Sequence, residues 1–352
     1  MTAIHQFVPT LEPGAVGSHL LQVRRLLDDM GVPTETYAEH IRPTMAGRAK
    51  DFRDYRPGPD DVLLYHVAIG SGVADFVREQ RARLALDHHN ITPAHFWAGW
   101  EPAVVSATAW ARNQLAELAP RAALGIGDSE YNARELVELR CVRTAVAPIL
   151  LDLDEFDRAV DASAAERLEH HGTVWLFVGR VAPNKAQHDL VKAFSVYRRV
   201  YDPSAVLRIV GGSSSDAYVA AIRQLVTALD LDAAVDLTGP VSDGELAAHY
   251  RAADVFVCVS EHEGFCVPLL EAMHHRVPVV GYGATAVAET LAGGGLVLPR
   301  KAPSTVAAAV AKVHDDAALR AGLIEAGTRR LDDFALETTR KQLWTALEPL
   351  LR

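Results

Sequence analysis

Short apolar runs alternate with amphipathic stretches along the chain, and the pattern is clearest in its second half. There the apolar runs are nearly unbroken and several end in Gly or Ser, as expected of strands buried on both faces of a parallel sheet. These predicted strands are VWLFVG (174–179), AVLRIVG (205–211), AVDLTG (234–239), VFVCVS (255–260) and VPVVGY (277–282). Helices are predicted between them at 186–199, 215–230, 243–252 and 268–275. The alternation predicts βαβ units in a doubly wound parallel sheet.

The first half shows the same alternation with weaker contrast. A helix is predicted over 18–30, where Leu20, Leu27 and Met30 recur at helical spacing. Strands are predicted at 3–8, 62–67, 83–87, 104–107 and 145–150.

The chain is too long for one hydrophobic core. At 352 residues it exceeds the size at which a single core stops growing. The acidic and polar segment 151–172 stands just before the first clear strand of the second half. We therefore predict two Rossmann-like α/β domains, an N-terminal one over 1–160 and a C-terminal one over 170–335. A last helical stretch, 335–352, is predicted to pack back on the first domain.

Composition and charge exclude several classes of protein. A net charge of −10 argues against nucleic acid as a partner, because phosphate backbones favour basic surfaces. The three cysteines are too scattered for a disulfide framework, and no apolar stretch approaches the roughly 20 residues of a membrane span. The N-terminus lacks a secretion signal, so a cytoplasmic location is expected.

Arginines make the early part of the chain locally basic. Two interpretations stay open, peripheral contact with an anionic membrane and a solvated surface. The oligomeric state is left open as well. The residues concerned are Arg24, Arg25, Arg42, Arg48, Arg53 and Arg56.

The segment SEHEGFCVPLLEAMHH, residues 260–275, carries the strongest functional signal. It follows a predicted buried strand, and ligands of open parallel sheets bind beyond the carboxyl ends of the strands. Gly264 permits a tight turn, and Pro268 suits the first turn of a helix, where its missing N–H is not needed. A helix N-terminus here would favour a phosphate group. Its outward-facing N–H groups would be those of Phe265, Cys266 and Val267.

Two carboxylates flank this predicted phosphate site. Glu263 precedes the turn, and Glu271 lies eight residues later in the predicted helix. Carboxylates repel phosphate but bind neutral hydroxyl groups well. A diphosphate with one sugar on each side would account for both glutamates, and two solvated surface residues are the alternative.

Two cations are candidates for neutralising the diphosphate. The strand VWLFVG ends at Gly179, Arg180 follows it, and Lys185 comes five residues later. A guanidinium and an ammonium there would stabilise the charge that a leaving diphosphate gains, whereas two surface cations are the alternative. A glycine turn at Gly211 could line the nucleotide site, although it lacks the G-x-G-x-x-G spacing of a dinucleotide site.

The first half contributes a histidine-rich strand end, RLALDHHNITPAHFW at 83–97. Four interpretations stay open for His88 and His89. They are a zinc site with His95 as third ligand, general acid–base catalysis, a hydrogen bond to a sugar hydroxyl, and a structural pair. The acceptor-side candidates are His66, Asn90 and Trp97. For Trp97, packing in the hydrophobic core is the alternative.

These motifs resemble those of the family-4 glycosyltransferases, which have the GT-B fold. EGFCVPLLEAM is similar to the family's E-x7-E segment, with Cys266 in place of the usual glycine. GRVAPNK is similar to the GR-x4-K donor-phosphate motif, and HNITP to segments of bacterial members. The resemblance implies that Glu263 and His89 contact the donor sugar and that Glu271 contacts the ribose.

The same resemblance implies a retaining, metal-independent transfer of a hexose, with no cofactor. The donor would be a nucleotide diphosphate sugar in a cleft between the domains, with UDP favoured over GDP, and the acceptor a hydroxyl group. Gly17 would contact the donor phosphate, and the backbone near Val241 would contact the base.

Four other functions are alternatives: a non-catalytic sugar-nucleotide-binding protein, a GT-B nucleotide-sugar epimerase, a glycogen-type phosphorylase and a nicotinamide dehydrogenase. The dehydrogenase is disfavoured because its glycine fingerprint is missing. A phosphorylase would need a cofactor lysine in the second half, where Lys185 and Lys192 come near.

Overall fold

A computed structural model describes residues 2–154 and 161–352, which form two compact units. Unit 1 contains the chain up to Ala98, Pro102–Leu151 and Phe334–Arg352, and unit 2 contains Gly99–Glu101 and Asp152–Asp333. No helix among the described residues is long and apolar enough to span a bilayer.

Unit 1 is built on seven strands: β1 (Ile4–Leu11), β2 (Thr36–Ile41), β3 (Lys50–Asp51), β4 (Val62–Val67), β5 (Arg83–His88), β6 (Leu124–Gly127) and β7 (Thr144–Val146). They form one parallel sheet in the order β3-β2-β1-β4-β5-β6-β7. β4 and β5 pair along their whole length, so that His66 lies opposite Asp87 near the carboxyl ends of the two strands.

Helices cover this sheet and form apolar clusters with its strands. The helices are α1 (Ala15–Asp29), α2 (Gly72–Glu79), α3 (Pro102–Leu118), α4 (Glu130–Glu138) and, from the end of the chain, α13 (Leu336–Leu347). One apolar cluster joins Leu343 and Leu347 of α13 to strand residues such as Ile4 and Leu64. The chain end therefore contributes to the core of unit 1.

Unit 2 has six strands: β8 (Val174–Val178), β9 (Val206–Val210), β10 (Val235–Gly239), β11 (Val255–Cys258), β12 (Val279–Tyr282) and β13 (Leu296–Leu298). They too form a parallel sheet, in the order β10-β9-β8-β11-β12-β13. The helices are α5 (Ala162–Arg167), α6 (Gln187–Val200), α7 (Asp216–Ala228), α8 (Asp243–Arg251), α9 (Val267–His274), α10 (Val287–Leu291), α11 (Pro303–Asp315) and α12 (Ala317–Leu331).

Local sequence signals fix where the helices of unit 2 begin. Ser242 caps α8 by accepting from the Glu245 N–H, and the Glu245 side chain accepts from the Ser242 N–H in return. Ser215 caps α7 in a similar way, by accepting from the Tyr218 N–H. The two parallel α/β sheets confirm the predicted fold class.

The predicted strand at 104–107 is wrong, because these residues lie inside α3. The buried positions that follow, Thr108, Ala111 and Leu115, recur every three or four residues, which is the helical period. A four-residue apolar run is too short to show whether it belongs to a strand or to a helix. The predicted strand at 145–150 is also shorter, since β7 ends at Val146.

Candidate functional site

The start of α9 has an unusual backbone. Cys266 is the residue before the helix and has φ +77° and ψ +68°, in the left-handed region. This conformation costs a residue with a side chain about 1–2 kcal/mol. No side chain caps the helix at this position, and Pro268 lies in its first turn as predicted. The helix start therefore keeps backbone N–H groups that its own cap does not satisfy.

Lys185 lies against this helix start and forms an ion pair with the Glu263 carboxylate. Burial disfavours the ammonium, but the attraction of Glu263 outweighs it and raises the pKa of Lys185. The Glu263 N–H donates to the Thr285 hydroxyl at 2.9 Å, which fixes the backbone of the loop. Glu263 is buried, whereas the Lys185 side chain is 23% exposed. The ion pair therefore holds the ammonium in place, while part of the Lys185 side chain stays exposed.

Asn184 ties the two loops together. Its side chain donates to the His262 carbonyl at 3.0 Å, and its own carbonyl accepts from the Glu261 N–H at 2.8 Å. Both loops follow the carboxyl ends of neighbouring strands, β8 and β11. The motif around Lys185 and the E-x7-E segment, which are about 80 residues apart, thus form one site, as the position of ligands in parallel sheets predicts.

Glu271 lies one turn further along α9 and is buried, at 7% exposure. It accepts a 2.6 Å hydrogen bond from the hydroxyl of Tyr250 on α8. Burial disfavours the carboxylate and raises the pKa of Glu271 to about 7, although the Tyr250 hydrogen bond opposes this shift. Glu271 therefore changes its protonation near neutral pH, which the sequence did not indicate.

Arg180 is exposed, and its guanidinium forms no ion pair or hydrogen bond with any part of the chain that the structure describes. Its backbone carbonyl accepts from Gln187 at 2.9 Å, so the loop is anchored while the side chain is not. Val241 lies half-buried in the turn between β10 and α8.

At two of the candidate glycines, a neighbouring backbone carbonyl lies too close for a residue with a side chain. A Cβ on Gly211, whose φ is +137°, would lie 2.4 Å from the Gly179 carbonyl oxygen. A Cβ on Gly17 would lie 2.0 Å from the Glu12 carbonyl oxygen. These contacts, within unit 2 and unit 1 respectively, explain the glycines without a ligand. The predicted contacts of both residues with the donor stay predictions.

In unit 1, the carboxyl ends of β4 and β5 carry a buried cluster of ionisable side chains. His89 bonds Asp128 at 3.1 Å through Nδ1 and His66 at 3.0 Å through Nε2. His19 from α1 bonds the Asp87 carboxylate at 2.8 Å. We call these five residues the histidine cluster. Each of its five side chains is at most 1% exposed.

The partners of each ring fix the protonation of the histidine cluster. The Gln6 side-chain oxygen accepts from His66 Nε2 at 3.0 Å, so His66 Nδ1 is free to accept from His89. Burial lowers the pKa of His66 to about 4. Burial would also lower the pKa of His89, but Asp128 and Asp87 outweigh it and raise this pKa to about 9. His89 is therefore a buried imidazolium with both N–H groups engaged inside unit 1.

The histidine cluster also bears on the question of a metal ion. His19, His66, Asp87 and His89 place ligand atoms within 4.8 Å of one another. However, the Leu150 N–H donates to His19 Nδ1 at 2.9 Å, so the proton of this ring lies on Nε2, where a metal would bind. The cluster fits a buried ion network better than a metal site. The zinc ligand considered from sequence, His95, is exposed and lies outside it.

Other candidates of unit 1 have partners within the unit. His88 bonds the Glu135 carboxylate at 2.8 Å, and the Asn90 side chain donates to Asn132 at 2.7 Å. Trp97 is 6% exposed, which agrees with core packing.

Sequence reasoning missed several residues that build these sites. Asp128 was missed because the strand before it, LGIG, is short and contains two glycines. The available signal was a polar residue directly after an apolar run, at the edge where His89 also lies. Tyr250 and Thr285 carry no local signal, because only the tertiary structure brings them to Glu271 and Glu263.

Comparison with known proteins agrees with these motifs. The model of the family "Glycosyl transferases group 1" matches residues 161–330. A D-inositol 3-phosphate glycosyltransferase from Kineococcus radiotolerans is 30% identical over 309 residues, which cover 73% of this chain and 71% of that protein. The chain belongs to the glycosyl transferases group 1 family. The predicted resemblance to family-4 enzymes is confirmed.

Two solved structures share the fold over nearly the whole chain. Sucrose-phosphate synthase from Thermosynechococcus elongatus has a TM-score of 0.78 at 18% identity, with 99% of each chain covered. HepE from Anabaena, solved in complex with UDP-glucose, has a TM-score of 0.71 at 18% identity, with 98% of this chain and 99% of that chain covered. The protein is thus a glycosyltransferase with the GT-B fold.

Proposed function

We propose that the protein transfers a hexose from a UDP-sugar to a hydroxyl group, with retention of the anomeric configuration and without a metal ion. The observation that carries the proposal is the Lys185–Glu263 ion pair beside the start of α9. It brings a cation and a carboxylate that can bind hydroxyl groups next to the N-terminus of a helix in unit 2.

The proposal assigns the diphosphate to the helix start. Backbone N–H groups after Gly264 and the partial positive charge of the helix N-terminus favour phosphate oxygens. Lys185 would stabilise the charge that develops on the leaving diphosphate, which is the task of a metal ion in other transferases. Arg180 is free to turn toward the same group, since no described side chain holds its guanidinium.

The two glutamates would bind the sugars on either side of the diphosphate. Glu263 keeps its ion pair with Lys185 and accepts from the donor hexose. Glu271 would face the ribose, with Tyr250 holding one of its oxygens. Both roles use hydrogen bonds to neutral hydroxyl groups, which charged or polar carboxyl groups make well.

The same contacts support retention through the departing phosphate. A double displacement needs a carboxylate that is free to attack the anomeric carbon. Glu263 is paired with Lys185, and Glu271 is buried against Tyr250, so neither is free. In the proposed reaction the glycosidic C–O bond breaks, the acceptor oxygen bonds the anomeric carbon from the same face, and its proton passes to a phosphate oxygen. Lys185 holds the diphosphate during this step.

The acceptor is assigned to unit 1 by the same proposal. The relative from Kineococcus is named for D-inositol 3-phosphate, and a 37% identical stretch of 120 residues matches a mannosylfructose-phosphate synthase from Agrobacterium fabrum. Phosphorylated polyols and sugars are therefore the first acceptors to test, before lipid-linked glycans and natural products.

Calorimetry with UDP and GDP, followed by incubation with a panel of nucleotide sugars, tests the proposal. We expect UDP to bind, one UDP-sugar to be hydrolysed slowly without acceptor, and NMR of the transfer product to show the donor's anomeric configuration. Activity should persist in EDTA. Binding without turnover of any sugar would support the non-catalytic alternative, and an isomerised donor would support an epimerase. Product of inverted configuration would refute retention.

A further inference from the structure

Two cysteines meet at the start of α9. Cys258 ends β11 and is 1% exposed, whereas Cys266 is partly exposed and directly precedes α9. Their sulfur atoms and the Glu263 carboxylate all lie within 4.8 Å of one another. The Cys258 thiol donates to the Ser260 hydroxyl at 3.5 Å, and each of the two thiols shifts the pKa of the other. Seven residues separate the two cysteines in the sequence, so a covalent link would close a short loop that contains Glu263.

We propose that Cys258 and Cys266 form a reversible disulfide whose formation weakens nucleotide binding at the start of α9. The disulfide itself follows from the position of the two sulfurs. Its effect on binding rests on the proposed function, which places the diphosphate at this helix start.

The chemistry needs an oxidant of the hydroperoxide class. The Cys266 sulfur, which is the more exposed of the two, attacks the peroxide, the O–O bond breaks, and a sulfenic acid and water or alcohol result. The Cys258 sulfur then attacks the Cys266 sulfur, the S–S bond forms, and the hydroxyl leaves as water with the remaining thiol proton. The peroxide accepts the two electrons that the sulfurs lose. An external dithiol restores both thiols by exchange.

The surroundings of the two thiols affect the two steps of this reaction differently. The neighbouring Cys266 thiol and the Ser260 hydroxyl lower the pKa of the Cys258 thiol, which makes Cys258 the better nucleophile for the second step. The neighbouring Cys258, burial and Glu263 raise the pKa of the Cys266 thiol well above its ordinary value, although Lys185 opposes this shift. Exposure, and not acidity, therefore makes Cys266 the first sulfur to meet the peroxide. A metal ion on the same three groups is less favourable, because the Lys185 ammonium already occupies the Glu263 carboxylate.

Oxidation would change the site because Cys266 sits in a strained position. Joining the sulfurs at about 2 Å requires Cys266 to move toward β11. Its backbone carries the left-handed turn that begins α9, so the N–H groups at the helix start would turn with it. The Glu263 carboxylate lies inside the closed loop and would shift relative to Lys185. Both changes remove interactions that the proposed function assigns to the donor.

Peptide mapping and calorimetry on the same sample test the inference. Reduced protein is treated with hydrogen peroxide, then alkylated, digested and analysed by mass spectrometry. We expect a peptide that links Cys258 to Cys266 and that disappears after dithiothreitol. We expect the affinity for UDP to fall by about tenfold or more, ~1.4 kcal/mol, and to recover with the reductant.

Two variants make the test specific. Cys258→Ala should bind UDP like the wild type when reduced and should show no dithiothreitol-reversible loss after peroxide. Cys141→Ala, which removes the third cysteine, should respond like the wild type. Absence of the linked peptide, or a linked protein with unchanged UDP affinity, would overturn the inference. A reduced protein that binds no nucleoside diphosphate would refute the proposed function instead, and the peptide map would still decide whether the disulfide forms.

Discussion

Lys185 is the cation whose removal should affect transfer most. Its ammonium is fixed by Glu263, so it is already in position when charge develops on the leaving group. We expect Lys185→Ala to slow transfer by roughly two orders of magnitude or more, as the loss of a donor to a developing charge does. Steady-state rates with the donor identified in the nucleotide-sugar panel measure this effect.

Lys192 offers a matched control for this prediction. It lies on α6, about half exposed, and pairs with Asp189 at 3.1 Å. Exposed pairs of this kind contribute little, so Lys192→Ala should leave the transfer rate within about twofold of the wild type. Equal rates in Lys185→Ala and Lys192→Ala would remove the role assigned to Lys185.

His89 should matter for stability because it is a buried cation between carboxylates. His89→Ala would leave Asp87 and Asp128 buried without their common partner. Removing one member of a buried charge network costs about 3–5 kcal/mol, and we expect a loss of this size in the free energy of unfolding. The exposed His95 is the control, and His95→Ala should change stability by less than about 0.5 kcal/mol.

The pH dependence of stability gives a second measure of the same residue. The pKa of His89 is raised from 6.5 to about 9 in the folded protein, so its charge favours the folded state. This contribution is complete below about pH 6.5 and is lost as the pH rises through about 9. Thermal unfolding midpoints across this range should fall in the wild type and stay flatter in His89→Ala. Parallel curves would show that His89 is neutral in the folded protein.

At the scale of single residues, the sequence predicted where several site residues lie but not which contacts they make. Lys185 and Glu263 were predicted because each stands in a motif that follows a strand, and the sheet order brings such loops together. The same reasoning identified His89 and His66 as candidates at strand ends, but it did not predict that they pair with each other or with Asp128. The pairing of His89 with Asp128 and His66 depends on which strands are neighbours, and that information is spread over the whole of unit 1.

At the scale of elements, Tyr250 and Glu271 connect α8 to α9 through one buried hydrogen bond. Burial raises the pKa of Glu271 from 4.5 to about 7, which means that ionisation disfavours the folded state. The stabilising contribution of the protonated form is complete below about pH 4.5 and is lost as the pH rises through about 7. Glu271→Gln should remove this dependence, and thermal unfolding against pH measures it.

The same variant separates stability from binding. A glutamine keeps a hydrogen-bonding oxygen but cannot ionise, so we expect Glu271→Gln to be at least as stable as the wild type near pH 7 while binding UDP more weakly. Tyr250→Phe, which leaves the carboxyl group without its hydroxyl partner, is the companion variant. If Glu271→Gln loses stability at neutral pH but not at low pH, the ionised carboxylate stabilises the fold and the raised pKa assigned to Glu271 is wrong.

Elements were predicted well where their pattern was long and uniform. The strands of unit 2 were all recognised except β13, which has three residues. β2 was missed because TYAEHI mixes polar and apolar residues on a strand near the sheet edge. The run at 104–107 was assigned to a strand because α3 is rich in alanine and its periodicity emerges only over several turns. Short or mixed segments thus need the sheet around them before their structure is determined.

At the scale of the whole molecule, each unit has its own sheet and its own apolar core. Leu343 of α13 is fully buried in unit 1 among residues of β1, β4, β5 and β6. Removing its side chain should cost about 2–5 kcal/mol, and the loss should fall on unit 1. Differential scanning calorimetry of Leu343→Ala with and without UDP examines this point.

A ligand that binds unit 2 stabilises unit 2 and any part of the protein that unfolds together with it. The stabilisation grows with the ratio of the ligand concentration to its dissociation constant. We therefore expect UDP to raise one unfolding transition and Leu343→Ala to lower another, with unchanged UDP affinity at low temperature. Leu190→Ala, in the core of unit 2, is the matched control and should lower the transition that UDP raises. If UDP and Leu343→Ala move the same transition, the two cores unfold as one, and the C-terminal helix contributes to the stability of the nucleotide-binding unit as well as its own.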